Sequence, residues 1–233
     1  MNCSIGKKMH QEIKAISLLL PFRLGRVNCY LVKNDTGYVL IDTGSPNRRS
    51  YLENVLQTSG CKPGHLTLII LTHGDFDHTG NAAYLRKKYS TKIAMHQDDL
   101  GMVEDGNMFW NREKSNMLFK ILAPTVSGFG KSERFTPDVY VNDGDDLSKY
   151  GFDATVLHIP GHSKGSIGVM TAAGDLFCGD LLENVRKPSL NSIMDALKTA
   201  NASLEKLNSL SISTVYPGHG GPFQMEVLTK NRL

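Results

Sequence analysis

Cysteine, charge of one sign and long apolar runs are all scarce in this chain. The four cysteines in 233 residues (Cys3, Cys29, Cys61 and Cys178) form no CxxC pair. That excludes a disulfide framework or a zinc knuckle and fits a reducing, cytoplasmic setting. The formal charge is only +3, and the basic residues are dispersed apart from Arg86-Lys87-Lys88. Neither nucleic acid nor a membrane surface is therefore expected as a partner. Ile16 to Leu20 is too short to span a bilayer, is stopped by Pro21 and lacks a small-residue cleavage pattern, so it reads as a strand and not a signal peptide. No linker, low-complexity tract or repeat divides the chain, and one domain over 1–233 is expected.

What is present is a layered alternation. Ile13–Leu20, Val27–Lys33 and Tyr38–Asp42 read as strands, the last two joined by the hairpin signal Asn34-Asp35-Thr36-Gly37. Pro46–Thr58 reads as a helix, Leu66–Leu71 as a buried strand, Gly80–Tyr89 as a helix and Lys92–His96 as a strand. The segment 97–135 breaks the rhythm with Met102, Met108, Phe109, Trp110, Met117, Leu118, Phe119 and Phe129. Asn107 to Leu122 fits an amphipathic helix, whose apolar face would belong to the core, to a cap over a pocket or to a homodimer contact. Later strands are expected at Pro137–Val141, Ala154–Ile159, Ser166–Thr171, Asp175–Cys178 and Ser213–Tyr216, with a helix at Ser192–Leu207. The order is that of an α/β fold in layers.

The richest stretch is Leu71-Thr72-His73-Gly74-Asp75-Phe76-Asp77-His78-Thr79-Gly80-Asn81. Two imidazoles and two carboxylates follow a buried strand directly. Side chains at 73 and 75 leave extended backbone on one side, and Asp77 and His78 follow at the turn into a helix. Such convergent nitrogen and oxygen donors are metal-ligand chemistry. Three more strand ends carry the same kind of signal: Pro160-Gly161-His162-Ser163, Cys178-Gly179-Asp180 and Pro217-Gly218-His219-Gly220. A glycine precedes each donor, which lets backbone approach closely. Taken singly, His73 or His219 would more often be structural; the ordered set of seven carries the reading.

With Asp42-Thr43-Gly44, these motifs stand in the order and rough spacing of the metallo-β-lactamase fold of binuclear metallohydrolases, which includes hydroxyacylglutathione hydrolases. The resemblance covers nearly the whole chain. It implies an αββα sandwich of two mixed β-sheets with external helices, and two divalent metal ions, zinc foremost. One ion would take His73, Asp75 and His162, the other Asp77, His78 and His219, with Asp180 bridging. A metal-bound hydroxide would attack an ester-type bond (thioester, lactone or similar) of a small-molecule substrate, since two cations lower the pKa of bound water from ~16 toward ~7. Asp77 and Asp180 would be the catalytic carboxylates.

The departure is Asp75, where the family usually has histidine. A harder, anionic ligand there moves preference toward Mn or Fe and resembles the di-iron flavoproteins of the same fold. A di-iron redox protein and a non-catalytic metal-dependent sensor are accordingly kept as alternatives. Asp42 is expected to support ligands, His96 and His158 to pack or lie at the surface, Lys164 to be solvated, and Cys178 to share a strand face with Asp180 while serving as core.

Overall fold

The computed structural model describes residues 11–21, 24–112 and 130–230. Two mixed sheets lie face to face. The first contains, in spatial order, β1 (Glu12–Leu19), β2 (Arg26–Asn34), β3 (Gly37–Ile41), β4 (Leu66–Ile70), β5 (Lys92–Met95) and β6 (Val139–Tyr140). Pairing is antiparallel as far as β3 and parallel from β3 to β6. The second contains β7 (Ala154–His158), β8 (Ile167–Thr171), β9 (Asp175–Asn184), β11 (Thr214–Gly220) and β12 (Phe223–Gln224), with the short β10 (Ser189–Leu190) on β9. The helices are α1 (Arg49–Thr58), α2 (Phe76–Thr79), α3 (Ala82–Tyr89), α4 (Leu100–Glu104), α5 (Leu197–Asn208) and α6 (Met225–Lys230).

Strand alternation builds three apolar layers. Val39, Ile41, Leu68 and Ile70 face Val156, Val169 and Phe177 between the sheets. Their neighbours Leu40 and Ile69 turn outward to meet Leu52 and Leu56 of α1 and Leu85 of α3. On the other flank Leu176, Cys178 and Val215 pack with Ala200, Leu204 and Leu207 of α5. The expected αββα sandwich is thus present. Polar stitches close it at one end, where buried Asn28 and Tyr30 of β2 donate to the carbonyl of Pro217 at 3.0 and 2.6 Å.

Several expected elements differ. The strand expected to stop at Cys178 runs on to Asn184, because Gly179 takes a left-handed φ of +50° and passes the strand over Thr72 without ending it. That bulge also breaks alternation. Cys178 goes into the α5-side core, away from Asp180 and not on the face they were expected to share. The last strand likewise continues through His219, with register shifts around Pro217. Helix α5 begins at Leu197 and not at Ser192, since the residues before it are held by the site. Asn107 to Arg112 form turns, not the start of a helix; the rest of that predicted helix lies outside the described residues.

Candidate metal centre

The seven donors named from the sequence come together at one end of the two sheets. His73 and Asp75 leave the end of β4, with His73 Nε2 3.5 Å from Asp75 Oδ2. His162, from the turn after β7, puts its Nε2 2.9 Å from the same oxygen. Asp77 and His78 lie in α2, and His219 Nε2 approaches Asp77 Oδ2 at 3.7 Å. Asp180 stands between, with Oδ1 3.4 Å from His78 Nε2 and Oδ2 3.2 Å from His219 Nε2 and 3.9 Å from His162 Nε2. His73/Asp75/His162, Asp77/His78/His219 and His73/His78/Asp180 each gather their ligand atoms within 4.8 Å.

The four histidines are held in one way. Each uses Nδ1 on the scaffold, so Nε2 is the nitrogen that faces inward. His162 Nδ1 donates to the Ile193 carbonyl and His219 Nδ1 to the Arg26 carbonyl, both at 2.7 Å. His78 Nδ1 donates to Asp42 Oδ2 at 2.8 Å. His73 Nδ1 lies 3.0 Å from Thr72 Oγ1, which itself donates to Asp42 Oδ2 at 2.8 Å. A hydroxyl has one proton, and the Asp42 carboxylate takes it; Thr72 must then accept from His73 Nδ1–H. One buried carboxylate therefore sets the tautomer of both histidines, the usual arrangement behind metal-ligating imidazole. Asp42 reaches this position with a left-handed φ of +58°, which aspartate tolerates better than most residues.

Close approach is also built in. A Cβ at Gly218 would sit 2.1 Å from Asp180 Oδ1, so only glycine lets β11 pass the carboxylate. Burial and charge oppose each other throughout. Burial disfavours the charged form of His78, yet Asp180, Asp42 and Asp77 outweigh it and raise its pKa to about 10. Burial likewise lowers His219, and Asp180 lifts it to about 9. Burial raises Asp180, but His219 and His78 hold it well below the carboxylate range. These pairs hold protons where a cation would bind in exchange for them.

The donors fit a metal on a second count. Among the described residues seven buried side-chain atoms lack a hydrogen-bond partner, and three of them, His73 Nε2, His78 Nε2 and Asp180 Oδ1, belong to this cluster. An unmade bond costs about 1–3 kcal/mol, so their concentration at one point marks a place for a ligand. The group His96/Asp98/His158 is different. Its ligand atoms also lie within 4.8 Å of one another, but its imidazoles stack on each other at 4.3 Å with only 5° between planes. His158 Nε2 instead donates to the Lys164 carbonyl, and Lys164 Nζ donates to Asn111.

Three residues escaped the sequence reading. Thr72 is the relay just described; its place beside His73 was the available signal. Asp99 is buried and accepts from Gly74 N at 3.0 Å, Ser163 Oγ at 2.6 Å and Gly165 N at 2.8 Å, joining two donor-bearing loops. Arg112 places Nη2 2.6 Å from Asp75 Oδ1. It lies 37 positions beyond Asp75, in the segment that breaks the strand-and-helix rhythm, and no sequence signal points to it.

A family model described as the metallo-beta-lactamase superfamily matches residues 22–219. Hydroxyacylglutathione hydrolase GloC of Haemophilus influenzae is 28% identical over 169 residues, 70% of each chain. Acyl-coenzyme A thioesterase MBLAC2 of Bos taurus is 27% identical over 222 residues, 87% of this chain and 76% of that one. Among solved structures, TTHA1623 in a di-iron-bound form superposes with a TM-score of 0.70 at 28% identity, covering 92% of this chain and 96% of that one. The BLEG-1 B3 metallo-beta-lactamase gives 0.71 at 22% identity, covering 92% and 95%.

Proposed function

The chain belongs to the metallo-beta-lactamase superfamily and is a metal-dependent hydrolase, and from that premise we propose that it holds two divalent cations and cleaves an ester-type bond in a small-molecule substrate. His73, Asp75 and His162 hold the first ion, Asp77, His78 and His219 the second, and Asp180 lies between them. The observation that carries this reading is the set of inward Nε2 atoms with every Nδ1 fixed on the scaffold. When bound, the ions supply Lewis-acid polarisation of the scissile carbonyl and a water acidic enough to ionise near neutrality.

The chain's own residues do the rest. Asp77, at the start of α2, accepts a proton from the attacking water, and Asp180 fixes the spacing of the two donor groups. The superfamily's bond class is narrowed here by two features. A relative is an acyl-coenzyme A thioesterase, and Ile193, whose carbonyl holds His162, leaves its side chain 67% exposed beside the site. Together these favour a thioester or lactone with an apolar acyl part. The four imidazoles favour zinc. Asp75 brings manganese or iron within range, as does the resemblance to a protein in a di-iron-bound form.

Residues 97–135 are assigned as a cap within a single domain, supported by Arg112 reaching Asp75 from that segment. We assign no nucleic-acid or membrane partner, a homodimer and a cytoplasmic setting. Among the described residues no helix is long and apolar enough to cross a membrane.

Elemental analysis of the purified protein, followed by turnover of thioesters, lactones and phosphodiesters with the metal found, tests the proposal. Two equivalents of metal and thioester or lactone hydrolysis are expected, both lost in Asp180→Ala and His162→Ala with the fold kept. Full metal content and turnover in both variants would sink the assignment. Iron with oxygen-dependent chemistry and no hydrolysis would replace it with the redox alternative that Asp75 motivates, and tight binding without turnover with the sensor alternative.

A further inference from the structure

The two oxygens of Asp75 face different partners. Oδ2 points into the donor cluster, 2.9 Å from His162 Nε2 and 3.5 Å from His73 Nε2. Oδ1 is 2.6 Å from Arg112 Nη2, an arginine side chain only 12% exposed. Arg112 Nε is buried with no hydrogen-bond partner among the described residues; Asp75 is the carboxylate the guanidinium touches, and Asp99 and Asp195 act on it electrostatically as well. A buried cation without such a partner is strongly destabilising, because it has lost its water and gained nothing in return.

Charge at the centre follows the same logic. Asp75, Asp77 and Asp180 carry three negative charges, and Arg112 removes one. Two remain, the balance that a neutral imidazole at position 75 would leave with no arginine nearby. We propose that Arg112 is a positioning residue paired with Asp75: it holds Oδ1, so that Oδ2 alone is offered to the first ion, and it cancels the charge that this aspartate brings. The inference rests on the metal-centre reading above. Its consequence is specific. Restoring the family's usual histidine at position 75 should not improve the site, because it would strand a buried guanidinium beside a divalent cation.

The test is a mutant cycle read by metal binding and not by turnover. Zinc affinity and stoichiometry are measured by competition with a chromophoric chelator and by elemental analysis. The variants are Asp75→His, Arg112→Ala, the double variant, and Asp75→His with Arg112→Lys. Asp75→His should weaken the first ion by on the order of 100-fold, since the guanidinium loses its contact partner and its charge then acts at close range in a poorly solvated site. Adding Arg112→Ala should restore that affinity, and adding Arg112→Lys, which keeps the charge, should not. The second ion should be unchanged throughout. Thermal melting in excess chelator shows whether each variant folds. If Asp75→His does not, Asp75→Asn removes the same charge at nearly the same volume and carries the same expectation. Equal effects of Arg112→Ala with aspartate or histidine at 75, or tighter zinc in Asp75→His alone, would overturn the pairing. Wild-type protein that takes up no ion would overturn the metal-centre reading beneath it, a distinguishable failure.

Discussion

Thr72→Val isolates one half of the centre. The substitution keeps the branched shape and removes only the hydroxyl, at a position 1% exposed. Two hydrogen bonds go: Thr72 Oγ1 to Asp42 Oδ2, and His73 Nδ1 to Thr72 Oγ1. Asp42 remains satisfied, since Oδ2 still accepts from His78 Nδ1 and Oδ1 from Thr72 N. His73 Nδ1–H is left buried without an acceptor, at about 1–3 kcal/mol of stability. Its ring loses both tautomer control and orientation, and loss of such a support behind a ligand typically weakens a metal by about 10–100-fold. The first proposed ion should weaken by that factor, equivalent to about 1.4–2.7 kcal/mol. The second should not move, because His78, Asp77 and His219 keep their supports. Chelator competition should resolve two steps in the wild type, and only one of them should shift in the variant. Equal loss of both ions, or no change in either, would refute the relay through Thr72.

Asp42→Ala removes the common support of His73 and His78, so both ions should weaken together, measured in the same titration. Asp99→Asn exchanges one of two acceptor oxygens for a donor against Gly74 N–H or Gly165 N–H; urea unfolding should show about 1.5–3 kcal/mol lost, and an unchanged midpoint would remove Asp99 from its joining role. Gly218→Ala places a methyl where Asp180 Oδ1 stands, and elemental analysis should find metal content reduced. Burial pushes the thiols of Cys61 and Cys178 up to about 12 and holds Cys29 well above the usual thiol range. Thiolate is therefore scarce at pH 8, and peptide mass spectrometry after native alkylation should find all three unmodified; rapid labelling of any would contradict the packing.

Much of the architecture was legible because it follows from period. Leu66 to Ile70 is apolar at every position but Thr67, and apart from that half-buried residue it is buried on both faces with a sheet partner on each side. The donors at 73, 75, 77 and 78 were legible for a related reason: a short stretch of chain cannot scatter its side chains far. Boundaries were less legible where backbone and not side chain decides. Nothing in Cys178-Gly179-Asp180 says whether glycine ends a strand or kinks one through, and the answer depends on Thr72 lying across it from the loop that follows β4.

The sequence by itself determined the layered α/β class, the donor types and their order, and the one unusual ligand, Asp75. These are properties of composition and spacing, local to each segment. Only the tertiary structure decided that Asp42 governs two histidines, that Asp99 binds two loops, and that Arg112 answers Asp75. Each of those is a contact between distant segments, fixed by how two sheets pack, and a charge or hydroxyl has no role until its partner arrives within about 3 Å.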